Sequence, residues 1–89
     1  MKQSGEMKIV NEFGLHARPA AALVSLANKF ESQIFLLKED TKVNAKSILG
    51  VLVLAAESGS TVEVEAEGED AEQAVQEIIK LAENGFGTE

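Results

Sequence analysis

Several residue types are scarce or missing in this sequence, and each shortage excludes a class of protein. There is no cysteine, which excludes a disulfide scaffold, a thiolate metal site and a cysteine nucleophile. The single proline leaves no proline-rich linker, and no apolar run is long enough to span a bilayer. The first six residues contain no apolar stretch, so we expect no secretory signal and a cytoplasmic location. A chain of 89 residues is expected to form one domain, here without a cofactor.

Positive charge is scarce in the second half of the chain. Residues 1–56 carry seven Lys or Arg against five Asp or Glu, whereas residues 57–89 carry ten acids and one lysine. A net charge of −7 repels phosphates, and none of the four phenylalanines lies in a basic stretch. Direct binding of nucleic acid is therefore not expected, and the acidic half indicates a solvated surface.

Hydrophobic periodicity predicts alternating strands and helices. Strands are predicted at residues 6–11, 33–38, 41–44 and 61–67, and the last of these alternates strictly between apolar and mostly glutamate side chains. Helices are predicted at residues 17–30, at residues 48–54 after Ser47, and from Ala71 to a terminating Gly85. The segment Asp70-Ala71-Glu72-Gln73 predicts a capping box for the last helix. Residues 1–5 are expected to form a disordered extension ahead of a single domain at residues 6–89.

The order βαββαβα and the glutamate-bearing strand predict an α+β open-faced β-sandwich. In this fold a four-stranded antiparallel sheet carries three helices on one face and meets water on the other. Glu63, Glu65 and Glu67 would then lie on the solvated face. With one histidine and no clustered inward carboxylates, a metal enzyme is not expected.

The only histidine and the only arginine lie together in the segment Gly14-Leu15-His16-Ala17-Arg18-Pro19. Pro19 fits only the first turn of the following helix, which fixes the start of that helix near His16. A helix N-terminus attracts anions, so the Ala17 N–H and the Arg18 guanidinium can stabilise a phosphoryl group carried on His16. No glycine-rich nucleotide loop is present, which favours a carrier over a kinase. The alternative is that His16 only caps the helix or lies on the surface.

Two motifs in this chain resemble those of HPr, the histidine-containing phosphocarrier family of the bacterial sugar phosphotransferase system. They are residues 14–20 and, in the form typical of Gram-positive members, residues 43–52; the resemblance extends over about residues 7–87. It implies that His16 accepts a phosphoryl group on Nδ1 from phosphorylated enzyme I and passes it to enzyme IIA domains of sugar permeases. It also implies that Arg18 stabilises the phosphate. A monomer is expected, since a carrier must dock with several partners in turn.

Ser47 has two compatible interpretations. Its position before a helix predicts an N-cap. The resemblance implies that HPr kinase/phosphorylase modifies Ser47 and that the product binds the catabolite control protein. A phosphate at a helix N-terminus is compatible with the helix dipole, so both roles can hold.

The residues after Ser47 form a candidate docking surface. Ile48 and Leu52 share one helical face, while Leu49 lies about 100° away from Ile48, so the three cannot all face the core. We expect Leu49 to be the most exposed, and this group together with Lys46 to form a partner-docking patch beside His16. Lys29 and Lys42 would steer acidic partners. The alternative is that the apolar side chains all belong to the core.

Two other functions compete with the carrier. One is a regulatory module that is phosphorylated on serine but transfers no phosphoryl group; the resemblance implies that such proteins replace the active histidine, which is present here as His16. The other is an acyl carrier, because Ser47 opens a helix in an acidic chain. That class needs an Asp-Ser-Leu type of motif in an all-helical domain, whereas Lys46 precedes Ser47 and a strand is predicted at residues 61–67.

Overall fold

The computed structural model describes residues 1–88 and has its strands and helices in the predicted order. The strands are Lys2–Lys8 (β1), Gln33–Lys38 (β2), Thr41–Asn44 (β3) and Thr61–Glu67 (β4). The helices are Ala17–Ala27 (α1), Ile48–Leu54 (α2) and Ala71–Glu83 (α3), followed by a 3-10 turn at Gly85–Gly87. Across residues 1–88, no helix has both the length and the apolar character needed to cross a membrane.

The four strands form one antiparallel sheet in the order β1-β4-β2-β3. Along β4, Val62, Val64 and Ala66 are buried in the core, while the intervening side chains lie on the opposite face. This alternation buries one face of the sheet under the helices and leaves the other open. The predicted open-faced α+β sandwich is confirmed.

Glu65 lies near the centre of the open face. One of its carboxylate oxygens is 3.3 Å from Lys42 Nζ on β3 and 4.0 Å from Lys2 Nζ on β1. The Lys42 ammonium also lies 4.6 Å from the centroid of the Phe35 ring. Exposed ion pairs contribute at most about 1 kcal/mol each, so this cluster links the two edge strands while adding little stability.

The first strand begins earlier than predicted, at Lys2 instead of Glu6. Residues 2–5 pair with residues 64–67 of β4, so the expectation of a disordered extension over residues 1–5 is wrong for this segment. The apolar pattern misses it because Gly5 occupies a position that faces the helices. A Cβ at Gly5 would lie 2.7 Å from Ile79 Cδ1, so α3 packs directly onto the backbone there. The strand also ends earlier, at Lys8 instead of Asn11.

Helix α1 ends at Ala27, three residues before the predicted end. The Asn28 side chain donates to the Val24 carbonyl at 2.9 Å, and the Phe30 N–H donates to the Ala27 carbonyl at 3.2 Å, which closes the helix in a tight turn. Phe30 remains in the core, so its apolar character extended the predicted helix too far. The helix start at Ala17, by contrast, is confirmed.

Asp70 precedes α3 as predicted, but its side chain does not cap that helix. Its carboxylate accepts hydrogen bonds from the Glu31 N–H at 2.9 Å and from the N–H and hydroxyl of Ser32. The Ser32 hydroxyl, followed by the Glu31 N–H, holds the pKa of Asp70 below its ordinary value of 3.8. The capping-box prediction is therefore wrong, because Asp70 fastens the turn before β2 to the start of α3.

Asp70→Asn is expected to lower the thermal midpoint at neutral pH, because an amide cannot accept these hydrogen bonds as a carboxylate does. The folded-state pKa of Asp70 is lowered, so the contribution of the carboxylate is complete above pH 3.8 and is lost as the pH falls below that value. Thermal unfolding followed by circular dichroism should show the difference from wild type shrinking in acid. Asp40→Asn, in the exposed β2–β3 turn, is the control and should change little at any pH. An unchanged midpoint in Asp70→Asn at neutral pH would contradict this role.

Candidate functional site

The loop between β1 and α1 is shaped by Gly14. Its φ angle is +71°, and a Cβ there would lie 2.5 Å from the Ala56 carbonyl oxygen, so a side chain fits neither the conformation nor the space. The Gly14 N–H donates to the Asn11 carbonyl at 3.0 Å, and the Leu15 N–H donates to the Ala56 carbonyl at 2.9 Å. These bonds bury Leu15 and bring the chain to His16 at the start of α1.

His16 is the N-cap residue of α1, with extended backbone angles. Its carbonyl accepts the Ala20 N–H at 2.9 Å, but its side chain makes no capping hydrogen bond. The imidazole is half-buried and can be reached from solvent. It therefore stands beside the positive end of the helix without using up the N–H groups of the first turn.

Arg18 and Ala17 are both exposed in the first turn of α1. Within the described residues the Arg18 guanidinium forms no ion pair and no hydrogen bond, so its donors are available to an external anion. Pro19 is buried at the third helical position and carries no N–H of its own. The predicted phosphate-stabilising groups thus lie in the same helical turn that follows His16.

The imidazole borders a surface cleft of about 270 Å³, here called the His16 cleft. The ring of Phe13 stands edge-on to it, with centroids 6.1 Å apart and planes at 82°. Leu52 and Glu57 also line the cleft. Sequence reasoning missed Phe13 and Glu57; an aromatic three residues before the only histidine was the available signal for Phe13, whereas Glu57 had none.

Ser47 caps α2 as predicted. Its hydroxyl oxygen accepts the Gly50 N–H at 3.1 Å, and its own N–H donates to the Asn44 carbonyl at 3.1 Å. The residue is partly exposed, so the hydroxyl oxygen serves the helix while one side stays accessible. The N-cap of α2 is therefore a residue that solvent can reach.

Helix α2 buries only a narrow part of its surface. Only Val51 and Leu54 are buried, and the large side chains that stay exposed form a surface here called the apolar patch. Its members are Ile48 (39% exposed), Leu49 (72%), Leu52 (38%) and Val53 (71%). The expectation that Leu49 is more exposed than Ile48 and Leu52 is confirmed, whereas Val53 was not foreseen. The patch adjoins the His16 cleft, because Leu52 belongs to both.

The lysines near the site lie differently from what was expected. Lys46 Nζ donates to the Phe30 carbonyl at 2.6 Å, which ties the end of α1 to the start of α2 and leaves less of this ammonium for a partner. Lys42 lies on the open face of the sheet beside Glu65, away from the helices. Lys29 follows the C-terminal end of α1, about 16 Å from the end that carries His16. Lys29 is therefore remote from His16 but close to the start of α2, because the neighbouring Asn28 side chain donates to the Lys46 carbonyl at 3.3 Å. The expectation that Lys42 lies near the site is wrong, because its ammonium lies on the open face of the sheet.

The described residues contain no grouping of three His, Asp or Glu side chains that could hold a metal ion. What the site does offer is one imidazole, one guanidinium and the amides of a helix start. A set of this kind can bind an oxyanion and offer one nitrogen nucleophile. The geometry therefore suits a covalently held phosphoryl group.

Comparison with known proteins agrees with this chemistry. Residues 3–84 match the family model described as PTS-HPr, the PTS HPr component phosphorylation site. The phosphocarrier protein HPr of Treponema pallidum (strain Nichols) is 43% identical over 83 residues, covering 93% of this chain and 94% of that protein. The HPr-like protein Crh of Bacillus subtilis (strain 168) is 49% identical over 65 residues, covering 73% and 76%.

The fold agrees as closely as the sequence. The crystal structure of HPr-C-His from Thermoanaerobacter tengcongensis superposes with a TM-score of 0.92 at 46% identity, covering 98% of each chain. The family model spans most of the chain and includes both His16 and Ser47. This protein therefore belongs to the HPr family of phosphocarriers of the phosphotransferase system.

Proposed function

We propose that this protein works in the cytoplasm as a monomeric carrier that accepts a phosphoryl group on His16 from phosphorylated enzyme I and donates it to enzyme IIA domains of sugar permeases. The observation that carries the proposal is the position of an accessible imidazole directly before α1, with Arg18 exposed in the first turn. Membership of the HPr family supports the same role. The use of Nδ1 as the nucleophile rests on that family resemblance.

The transfer consists of two displacements at phosphorus. In the first, an imidazole nitrogen of His16 forms a bond to phosphorus while the bond between phosphorus and enzyme I breaks. In the second, a nucleophile of the IIA domain attacks, and the imidazole leaves with its electron pair. Throughout, the positive end of α1 and the Arg18 guanidinium stabilise the charge on the three phosphoryl oxygens.

Ser47 is proposed as a regulatory site, modified by HPr kinase/phosphorylase and then recognised by the catabolite control protein. A phosphate on its oxygen would lie at the N-terminus of α2, where the helix dipole favours negative charge. It would also directly precede Ile48, the first member of the apolar patch. Partners that bind this patch would therefore meet the added charge.

The apolar patch is proposed as the docking surface for these partners, with Ile48, Leu49 and Leu52 as its contacts. Four exposed large hydrophobic side chains on a helix of seven residues form an unusually dense apolar surface. Its edge reaches the His16 cleft through Leu52. A partner seated here would have its own phosphoryl donor or acceptor close to the imidazole.

A regulatory module without phosphoryl transfer is the second candidate, and the 49% identity to Crh of Bacillus subtilis favours considering it. The presence of His16 distinguishes the two functions, because a purely regulatory module has no use for an accessible imidazole beside a free guanidinium. The carrier is therefore the better supported function.

Incubation with enzyme I and phosphoenolpyruvate should place an acid-labile, base-stable phosphate on the wild-type protein and none on His16→Ala. Arg18→Ala should still be labelled, but with kcat/KM from enzyme I lowered about 10-fold or more, because one charged donor to the phosphoryl group is lost. Autoradiography or intact mass spectrometry measures both. A normal yield of label in His16→Ala would reject the assignment.

Treatment with ATP and HPr kinase should add a second, acid-stable phosphate, which peptide mass spectrometry would locate at Ser47. Ser47→Ala should abolish this label and also lose the cap, at a cost of about 1 kcal/mol in the free energy of unfolding. Ser58→Ala, a change at an exposed serine in a turn, is the control and should be labelled fully. Label that persists in Ser47→Ala would place the modification elsewhere.

Leu49→Glu should weaken binding to enzyme I, because it puts a charge into the apolar patch, while the thermal midpoint stays nearly unchanged because the side chain is 72% exposed. Titration calorimetry and thermal unfolding measure the two effects. Gln76→Glu adds the same charge to the exposed surface of α3 and should leave binding unchanged. Equal affinities of Leu49→Glu and wild type would remove this residue from the docking surface.

A further inference from the structure

Asn11 is one of two buried polar side chains among the described residues, the other being Ser32. It lies in the loop between β1 and α1, five residues before His16, and is 1% exposed. Its side-chain NH2 donates to the Gly85 carbonyl at 2.8 Å and, more weakly, to the Thr88 hydroxyl at 3.4 Å. A single amide thus joins the loop before His16 to the C-terminal 3-10 turn, 74 positions further along the chain.

The backbone carbonyl of Asn11 contacts the turn that leads to His16. Its carbonyl accepts the Gly14 N–H at 3.0 Å and so closes the turn that leads to His16. The N–H of the next residue, Leu15, donates to the Ala56 carbonyl at 2.9 Å. Asn11 therefore hydrogen-bonds to the C-terminal turn through its side chain and to the turn before His16 through its main chain.

The C-terminal turn to which Asn11 donates is itself held firmly in place by packing and hydrogen bonds. Phe86 is 2% exposed although its φ angle is +59°, a backbone conformation that is unfavourable for a residue with a side chain. Both α1 and α3 pack against this turn, and together they fix its position. The Gly85 carbonyl also accepts the Thr88 hydroxyl at 3.2 Å, so the group that Asn11 holds is itself fixed.

Packing alone does not account for an amide at this position. The side-chain oxygen of Asn11 is buried and accepts no hydrogen bond within residues 1–88. A buried acceptor without a hydrogen bond is unfavourable, and an apolar side chain would avoid that cost. The orientation of the amide is set by its NH2, because only a donor can face the Gly85 carbonyl. The donated hydrogen bond is therefore the feature that requires asparagine.

We infer that Asn11 is a positioning residue for phosphoryl transfer, which holds the turn at residues 11–14 against the C-terminal turn and so fixes where His16 stands at the start of α1. The inference rests on the proposed role of His16 as the phosphoryl acceptor. Transfer requires the imidazole nitrogen and the phosphorus to meet in line, and a displacement of about 1 Å can lower the rate by up to about 100-fold. Asn11 itself does not touch the phosphoryl group.

The test compares Asn11→Ala with Ser32→Ala, which removes the other buried polar side chain. Ser32 bonds Asp70 at the start of α3 and makes no hydrogen bond with the loop that carries His16, so it controls for a loss of stability alone. At a temperature where both variants are folded, kcat/KM for phosphorylation by enzyme I should fall about 10-fold in Asn11→Ala and stay at the wild-type level in Ser32→Ala. No loss in Asn11→Ala, or an equal loss in both, would overturn the inference. If Asn11→Ala is unfolded at the assay temperature, Asn11→Ser takes its place with the same outcomes.

A second variant separates the hydrogen bond from the shape of the side chain. Asn11→Leu keeps a side chain of similar size and branching but offers no donor to the Gly85 carbonyl. It should therefore transfer as slowly as Asn11→Ala. A wild-type rate in Asn11→Leu would show that shape alone suffices, and would overturn the inference.

Amide hydrogen exchange provides a readout that needs no enzyme. The Gly14 and Leu15 amides should exchange faster in Asn11→Ala than in wild type, and should be unchanged in Ser32→Ala. If His16 were not the phosphoryl acceptor, wild type would fail the transfer assay while this exchange difference remained. Unchanged exchange in Asn11→Ala would contradict the positioning role itself, whatever the transfer assay shows.

Discussion

The contact between the Gly14 backbone and the Ala56 carbonyl is the constraint on which the site depends. Only a residue without a Cβ fits there, because a side chain at Gly14 would meet the Ala56 oxygen at 2.5 Å. The contact brings the loop before α1 against the segment after α2. His16 therefore lies over a cleft that Leu52 of α2 also lines. The His16 imidazole, the helix N-terminus and the apolar patch come together through this single close approach.

The distribution of charge suits a protein that must hold an anion at this end. The second half of the chain is strongly acidic, yet Glu57 is the only acid among its described residues that lines the His16 cleft. The others among the described residues are on the open face of β4, in the turn that leads to α3, or along α3. Exposed charges are screened over about 8 Å at physiological salt, so acids distant from the His16 cleft act weakly on an anion bound there.

The parts of the fold that could be predicted are those whose signal is local. Strand β4 alternates, Pro19 fits only a first helical turn, and Ser47 is a strong N-cap, so each was placed correctly. The parts that could not be predicted depend on contacts distant in sequence. Gly5 belongs to β1 because α3 packs onto it. The Asp70 carboxylate accepts hydrogen bonds from the turn before β2 instead of from the first turn of α3. The burial of Leu54 and the exposure of Val53 on α2 were also not predicted, because seven almost wholly apolar residues give no periodic signal.

The exposed apolar patch on α2 lies between Ser47 and the His16 cleft. Ser47 directly precedes the apolar patch, and Leu52 joins the patch to the His16 cleft, so a partner that covers the patch must also cover both sites. A dianion on Ser47 would then have to be desolvated or matched with positive charge in every such complex, at a cost of several kcal/mol when it is unmatched. Lys46 cannot readily neutralise it, because its ammonium is bound to the Phe30 carbonyl. If Ser47 is modified as proposed, the added charge would weaken the proposed transfer through His16 by changing the shared surface alone, with no change in the fold.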